Sequence, residues 1–487
     1  MSPDSSTPSP PSDLSPDSAE AAARRACAGN PRLFIWFRIF FNCRFYYPVY
    51  AIMFLHFGLS EEQFAYLNVA WALAIVLLEV PSGALADQLG RRTLVVASAV
   101  LMVIEMVVLS AMPVVDRAAL ADDPARLNGA IAVLFAVFCL NRIVSGAAEA
   151  AASGADEALA YDSLDGDDRE TLWSRLTVQL MKWQSVAFVG VTLVGAAVYD
   201  PDVVNRVAGW LGWERQFTQA ETLKFPIYLT LGMALATLAT ALRFREPPGR
   251  PAPVTGGLGK AIGESFRRTF AAGGWILRTP AALLLILVGL FFDSIIRLYY
   301  TVGSLWLEVI GYEPRYFGLI SVAGSLSGIA SAAIGARLII SRQPGFNFAL
   351  LSWLVLIGLV SLAWPIPYWS VLFLPTLWLA MRLLHFFLSN YLNRVTPSEN
   401  RATVLSFRGL TMNLSYGLVT WGYAMQTHVL RGDATGEDAS HAVFAEAVAW
   451  WWVYFTVVLA GLWLYRRVKV GKSWNELIPP PKSAESA

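Results

Sequence analysis

Long apolar segments constrain this chain more than any other feature of its sequence. A helix needs about 20 mostly apolar residues to cross the hydrocarbon core of a bilayer. Twelve segments meet that requirement, and they predict an all-α polytopic membrane protein with twelve transmembrane helices. The segments lie near residues 33–56, 63–86, 93–113, 128–151, 173–199, 226–243, 281–308, 316–340, 346–364, 368–391, 402–427 and 444–465.

Composition supports the same class and argues against several others. Hydrophobic residues make up 56% of the chain and charged residues 15%, whereas soluble domains are about 45–50% apolar and about 25% charged. A net charge of +1 gives no reason to expect a nucleic-acid partner. Cys27, Cys43 and Cys139 have neither disulfide nor zinc spacing. Because the sequence also lacks a phosphate-binding Gly-Lys loop and a nucleophile–base pair, we expect no enzyme, no cofactor and no metal site.

Basic residues are distributed unevenly among the predicted loops. With the amino terminus in the cytoplasm, Lys and Arg are roughly threefold more frequent at cytoplasmic segments than outside, as the positive-inside rule requires. Residues 1–30 are rich in Pro, Ser and Asp and lack an apolar core, so we do not interpret them as a signal peptide. The sequence therefore predicts a multi-pass protein of the plasma (inner) membrane with both termini cytoplasmic.

The twelve segments form two sets of six, separated by a linker that opens with several prolines. Within 258–277, Lys260 and Arg267 alternate with Phe266 and Phe270, which fits either an amphipathic helix on the membrane surface or a solvated basic linker. The predicted divisions are a disordered cytoplasmic tail at 1–31, an amino-terminal six-helix bundle at 32–243, a cytoplasmic linker at 244–280, a carboxy-terminal six-helix bundle at 281–467 and a cytoplasmic tail at 468–487.

The stretch GALADQLGRR at 83–92, between the second and third segments, combines turn-forming and charged residues. Glycine permits the tight turn that a short connection between two spans needs. Asp87 and Arg91 are four residues apart and can pair with each other or with a neighbouring helix end. The acidic connection at 154–170 is expected on the same side, either in a salt-bridge cluster with these arginines or as an ordinary solvated loop.

This stretch resembles the loop between helices two and three of the major facilitator superfamily, a large class of secondary transporters. Gln88 stands where a basic residue is usual in that pattern. The resemblance implies two six-helix bundles around a central cavity that opens alternately to the two sides of the membrane. It also implies a gating role for Gly83, Asp87, Gly90, Arg91 and Arg92.

Ionisable residues inside the apolar segments are the candidates for a solute site. A charged group there costs about 2.5–3.5 kcal/mol on insertion scales, so a function is the default hypothesis. In the superfamily, segments one, four, seven and ten line the cavity, and here they carry five arginines against one aspartate. The residues predicted to bind solute are Arg44, Arg142, Asp293, Arg297, Arg382 and His385. The candidates for proton coupling are Glu105, Glu149 and Asp293.

The surplus of positive charge favours an anionic ligand, because a guanidinium forms paired hydrogen bonds with carboxylate or phosphate. The alternative is that carboxylates of neighbouring helices and backbone carbonyls neutralise the arginines. We therefore predict a secondary active transporter of a small organic anion or zwitterion. Protons are the candidate coupling ion, and a monomer in the lipid bilayer is expected.

Two other functions remain open. Aromatic richness favours efflux of amphipathic drugs by proton antiport. Against it, Gly195 is followed by Ala196-Ala197, without the proline of the drug-antiporter motif in segment five. A non-transporting membrane sensor is the alternative from a different class.

Overall fold

The computed structural model describes residues 25–117, 119–164, 168–248, 257–397, 401–432 and 437–478. All regular secondary structure in those residues is helical. Among them, nine helices are long and apolar enough to cross a membrane, which confirms an all-helical polytopic fold. Most of the predicted tail at 1–31, the end of the tail at 468–487 and the linker prolines Pro251 and Pro253 lie outside the described residues.

The described residues of the first half form ten α-helices. The helix α3 (Glu61–Leu89) begins after Ser60, whose side chain accepts a hydrogen bond from the Gln63 N–H at 3.2 Å. The Gln63 side chain accepts one from the Ser60 N–H at 2.9 Å, so two exposed donors of the first turn are satisfied. The helices are α1 (Asn30–Asn42), α2 (Tyr50–His56), α3 (Glu61–Leu89), α4 (Arg91–Ala111), α5 (Pro124–Ala152), α6 (Ala155–Asp162), α7 (Arg169–Tyr199), α8 (Pro201–Trp210), α9 (Gln219–Thr222) and α10 (Phe225–Arg243).

The first predicted segment, 33–56, is not one continuous helix. It is divided between α1 and α2, which are joined through a short 3₁₀ turn that contains Pro48, a residue without a backbone N–H. At the break, the Phe45 N–H donates to the Thr230 hydroxyl at 3.0 Å. A Cβ at Gly195 would lie 1.9 Å from the Phe45 carbonyl oxygen, so α7 reaches the broken backbone only because residue 195 is glycine. The break brings Arg44 into the interior.

In the second half, the described residues form nine α-helices. The central one, α12 (Pro280–Val309), has 72% of its most apolar stretch buried, against 22% for α7, which indicates that α12 lies inside the bundle and that α7 is more exposed. The helices are α11 (Gly257–Arg278), α12 (Pro280–Val309), α13 (Pro314–Ser341), α14 (Pro344–Ala363), α15 (Leu374–Val395), α16 (Arg401–Arg431), α17 (Glu437–Ala449), α18 (Trp451–Tyr465) and α19 (Trp474–Leu477).

Three predicted segments are not among the nine apolar helices of the described residues. The segment at 33–56 is broken, and the segments at 316–340 and 402–427 correspond to α13 and α16. These two helices contain 28 and 31 residues, which is long enough to span a bilayer. The count of twelve spans therefore remains a prediction.

The two ends of the bundle are distinct. We call the end that carries Asn30, the turn at Gly90 and Tyr465 the terminal end, and the other the opposite end. The halves pack together mainly through α3 against α16 and α7 against α13. A Cβ at Gly318 would lie 2.4 Å from the Thr192 carbonyl oxygen, so α7 and α13 are in backbone contact.

Polar contacts also join the halves at the opposite end. They bridge α3 with α16, α8 with α13 and α2 with α12. The contacts link Glu61 to Arg431 (3.5 Å), Glu62 to His428 (3.1 Å), Asp202 to Arg315 (3.7 Å) and the Ala51 N–H to the Ser304 hydroxyl (3.0 Å).

Candidate functional site

A cavity of about 310 Å³ lies between the halves, with walls from α1, α7, α13 and α15. Its volume is at the lower end of the range for small-molecule pockets. Its polar lining consists of Asn42, Gln184, Ser185, Ser325 and Arg382. Among the described lining residues, Arg382 alone carries a charge, and its side chain is exposed on α15. The cavity therefore offers one cation together with amide and hydroxyl groups.

Arg44 and Arg142 share one carboxylate beside this cavity. Both oxygens of Glu105 accept hydrogen bonds at 3.0 Å from the same Arg44 nitrogen. The Arg142 guanidinium lies 3.5 Å from Glu105. Arg44 is 4% exposed, Glu105 0% and Arg142 7%, so all three charges are removed from solvent. Segments one, three and four, which supply these residues, are thus joined inside the first half.

Among the residues that the structure describes, Glu105 is the carboxylate paired with Arg142. Its guanidinium lies 5.8 Å from the Tyr50 ring centroid and 5.9 Å from that of Trp71, within cation–π range. Its Nε is buried without a hydrogen-bond partner among the described residues. With Glu105 against Arg44 and Arg142, the cluster keeps a net charge of +1.

A second charged cluster lies in the other half. Asp293 is fully buried and contacts Arg297 at 2.6 Å and His385 at 3.2 Å. Arg297 also donates to the Asn413 side-chain oxygen at 2.9 Å and lies 5.2 Å from the Tyr416 ring centroid. The predicted i, i+4 pair on α12 is therefore formed, and α15 and α16 contribute to the same cluster.

Glu79 on α3 is a residue that the sequence analysis missed. The Asn413 amide lies within hydrogen-bonding reach of its carboxylate. One carboxylate oxygen, Oε2, is buried without a hydrogen-bond partner in the described structure. Glu79 thus connects the α3–α16 contact between the halves to Arg297 through Asn413. A lone acid in the apolar run AWALAIVLLEV was the available signal.

The turn at Gly90 is organised by Glu246, which the sequence analysis also missed. Gly90 has φ +103°, a left-handed conformation that favours glycine. The Glu246 carboxylate accepts hydrogen bonds from the backbone N–H groups of Arg91 at 3.0 Å and Arg92 at 2.8 Å. A carboxylate at this position complements the positive end of the α4 dipole. The Arg92 side chain donates to the Phe244 carbonyl at 2.7 Å.

The acidic connection after α5 takes part in ion pairs at the same end. The Arg91 side chain contacts the Asp162 carboxylate and donates to the Ala158 carbonyl at 3.1 Å. Arg38 lies 2.6 Å from Asp156. These contacts favour the salt-bridge cluster over a solvated loop. Asp165 and Asp167 of this connection lie outside the described residues.

The other predicted residues occupy more open positions. Gly83 and Asp87 lie on the exposed side of the last turns of α3. Glu149 is half-buried on α5, two helical turns beyond Arg142. The structure therefore separates Glu149 from the cluster that contains Glu105.

Gly146 permits the close contact between α3 and α5 that positions Arg142. A Cβ there would lie 2.7 Å from the Ala74 Cβ and 2.8 Å from the Trp71 carbonyl oxygen. We expect Gly146→Ala to destabilise the protein by about 1–3 kcal/mol, because the helices must separate. Gly232→Ala on α10, where nothing lies within 4 Å, is the matched control and should leave stability equal or higher. Denaturant unfolding in detergent measures both. Equal stability of the two variants would contradict the tight packing.

A family profile described as Major Facilitator Superfamily matches residues 33–420. No sequence among curated proteins matches the chain. A bacterial homologue of the human lysosomal transporter Spinster, inward-facing and unoccupied, aligns with a TM-score of 0.63 and 16% identity over 91% of this chain and 97% of that one.

Two further solved structures share the fold. The nucleoside transporter NupG aligns with a TM-score of 0.61 and 11% identity, covering 88% of this chain and 99% of that one. The peptide transporter POT aligns with a TM-score of 0.56 and 15% identity, covering 94% of this chain and 99% of that one. At these identities the likeness establishes the fold alone, while the family profile establishes the family.

Proposed function

The chain belongs to the major facilitator superfamily, and we propose that it is a secondary active transporter of a small organic anion or zwitterion. The observation that carries this proposal is the position of Arg382. Among the described residues it has no carboxylate partner, and it lines the cavity between the halves. Because the other four arginines of segments one, four and seven each contact a carboxylate, Arg382 is the cation best placed to meet a solute.

The surroundings of Arg382 suit a carboxylate or phosphate group. A guanidinium offers two parallel N–H donors to such a group. The amides of Asn42 and Gln184 and the hydroxyls of Ser185 and Ser325 can bind the remaining polar groups of a small solute. The buried cluster of Arg44, Glu105 and Arg142 adds a long-range positive charge. A lipophilic cation would be repelled by both.

Transport by alternating access requires that the contacts between the halves break and form again. We propose that the terminal end is cytoplasmic, in agreement with the distribution of Lys and Arg. The polar contacts between the halves at the opposite end would then close the outer side. Opening that side would break the pairs of Glu61 with Arg431 and Glu62 with His428.

Proton coupling is proposed through carboxylates that can lose their charge without leaving a cation unpaired. Protonation of Glu105 would leave Arg44 and Arg142 without their acidic partner, and protonation of Asp293 would leave Arg297 without its own. No ion pair joins Glu79 or Glu149 to a described cation. These two acids are therefore better candidates than Glu105 and Asp293, and Glu79 lies at the contact between the halves.

Uptake into proteoliposomes tests the proposed activity. Vesicles with and without the protein are incubated with an equimolar mixture of small carboxylates, organic phosphates, amines and neutral polyols, with and without an imposed pH gradient. The contents are then identified by mass spectrometry. Accumulation of an acid or zwitterion only with protein supports the proposal, and a pH-gradient requirement supports coupling. Accumulation of amines alone would favour drug efflux. No accumulation of any class would favour the sensor.

Asp87→Asn should slow transport by roughly tenfold or more while the protein still folds and inserts. The coupling free energy between a site and a conformational equilibrium is typically about 1–3 kcal/mol, and its loss has an effect of that order. The carboxylate lies on the exposed side of α3 near the Gly90 turn, where its charge can favour one state of the cavity. The rate of solute uptake measures the effect. Asp122→Asn, an exposed acid in the loop before α5, is the control and should transport at the normal rate. Normal transport by Asp87→Asn would contradict a gating role for Asp87.

A further inference from the structure

The linker helix α11 presents one face to the rest of the protein. Its buried residues include Ala261, Thr269, Gly273 and Ile276, and it packs against α3, α12 and α16. A Cβ at Gly273 would lie 2.7 Å from the Phe407 ring, so α11 is in close contact with α16. Because α3 belongs to the first half and α16 to the second, α11 touches both halves at the terminal end.

A second face of α11 is apolar and exposed. Phe270 is 66% exposed and Leu277 is 70% exposed. Phe266, one turn before Phe270, stacks on it with ring centroids 6.2 Å apart. At 100° per residue, these three side chains fall within about 40° of one another and roughly 100° away from the buried face. They form a stripe that continues toward the start of the transmembrane helix α12.

A third face is basic. Lys260, Arg267 and Arg278 are seven and eleven residues apart, so they lie on one side of the helix, beyond the apolar stripe. The Arg267 side chain is 80% exposed, and the Arg268 side chain is 72% exposed. The only acid of α11, Glu264, lies 2.7 Å from Arg268. Four basic residues against this one acid leave the helix with a net charge of +3.

Glu264 does not neutralise the basic face of α11. The hydrogen bond and the charge of Arg268 lower the pKa of Glu264, so the carboxylate stays ionised and forms an ion pair with Arg268. Arg267 is farther from it, at 3.9 Å. Lys260 and Arg278 sit at the two ends of the helix, about 27 Å apart at 1.5 Å per residue. Together with Arg267 they provide three separated cations along one line.

We propose that α11 lies in the interface of the bilayer and binds anionic phospholipids. The Phe266–Phe270–Leu277 stripe enters the acyl region, and Lys260, Arg267 and Arg278 contact the headgroup phosphates. The order of the three faces around the helix, protein, then apolar, then basic, is the order that a helix at a membrane boundary requires. Since α11 touches α3 and α16, bound anionic lipid holds the two halves together at the terminal end. This inference does not depend on which solute the protein carries.

The depth of α11 is measured on full-length protein in bilayer nanodiscs of phosphatidylcholine containing phosphatidylglycerol. A nitroxide is attached at Phe270→Cys, and a second sample carries it at Arg267→Cys. Unsubstituted protein carried through the same labelling corrects for the native cysteines, of which Cys27 and Cys43 are buried. We expect oxygen, which concentrates in lipid, to relax the label at 270, and a water-soluble nickel complex to relax the label at 267. A label at 270 that is relaxed by the nickel complex and not by oxygen would overturn the proposal.

The headgroup preference is measured by native mass spectrometry of protein released from micelles that contain equal amounts of phosphatidylglycerol and phosphatidylcholine. Each basic residue near an anionic surface contributes about 1 kcal/mol. Arg267→Gln/Arg278→Gln should therefore weaken phosphatidylglycerol binding by roughly 30-fold. The control, Arg126→Gln/Arg206→Gln, removes two exposed charges at the opposite end and should bind as the parent does. Equal phosphatidylglycerol binding by the two double variants would overturn the proposal. Competition by inorganic phosphate, with no preference between the lipids, would do the same.

Discussion

Glu105→Gln should destabilise the protein by about 3–5 kcal/mol, the range for breaking a buried ion pair by removal of one partner. The substitution keeps the size of the side chain and removes its charge. Two guanidiniums that are almost entirely buried would then share no carboxylate. Arg44 would keep its hydrogen bond to the Tyr46 hydroxyl at 2.9 Å, which cannot compensate the charge. Denaturant unfolding in detergent gives the free energy.

The matched control for this prediction is Glu264→Gln on α11. Glu264 also pairs with an arginine, but the pair is solvent-exposed, so its loss should have little effect on unfolding. Glu105→Asp keeps the charge on a shorter side chain, so it distinguishes the effect of charge from the effect of side-chain length. Its free energy of unfolding should lie between those of the parent and Glu105→Gln. A Glu105→Gln protein as stable as its parent would mean that the two arginines are solvated in the folded protein.

Arg382→Gln should weaken binding of an anionic solute by roughly 10- to 150-fold, with folding unchanged. A charge-assisted hydrogen bond contributes about 1.5–3 kcal/mol, which corresponds to that range of affinity. Stability should not change, since Arg382 is exposed and pairs with no described carboxylate. Arg382→Lys keeps the charge without the paired donors and should recover part of the affinity. Thermal stabilisation by the solute, titrated in detergent, measures the three proteins.

Arg142→Gln provides the contrast. Its arginine lies against Glu105 and two aromatic rings rather than in the cavity lining. It should therefore lower stability more than Arg382→Gln does. If instead Arg142→Gln alone abolishes solute binding in a protein of normal stability, the solute lies inside the first half and the assignment of Arg382 is wrong.

The fold class could be predicted from the sequence because a membrane-spanning helix requires a long apolar run. Apolar runs of bilayer length and the GALADQLGRR stretch identify an all-helical fold of the major facilitator superfamily, and the profile match confirms it. Periodicity and length could not show the break in the first segment. That break depends on Thr230 and Gly195, which reach Phe45 from distant parts of the chain.

The candidate site was only partly predictable, because several of its contacts join residues that lie far apart in the sequence. The i, i+4 spacing of Asp293 and Arg297 correctly indicated their pair. Counting charges on the cavity-lining segments overstated the positive surplus, because Glu105 comes from segment three and the partners of Arg38 come from the short helix α6. Glu246, which caps α4, lies more than 150 residues from Arg91 and was not identifiable from local spacing.

Ligands that differ only in charge test whether Arg382 binds an anion in the cavity. Thermal stabilisation by 4-phenylbutyrate, 4-phenylbutanol and 4-phenylbutylamine is compared at constant ionic strength for the parent protein and Arg382→Gln. We predict that the carboxylate stabilises the parent most, that the amine stabilises it least, and that the advantage of the carboxylate disappears in Arg382→Gln. Greater stabilisation by the amine, unchanged in Arg382→Gln, would contradict anion binding by Arg382 and favour a carrier of lipophilic cations.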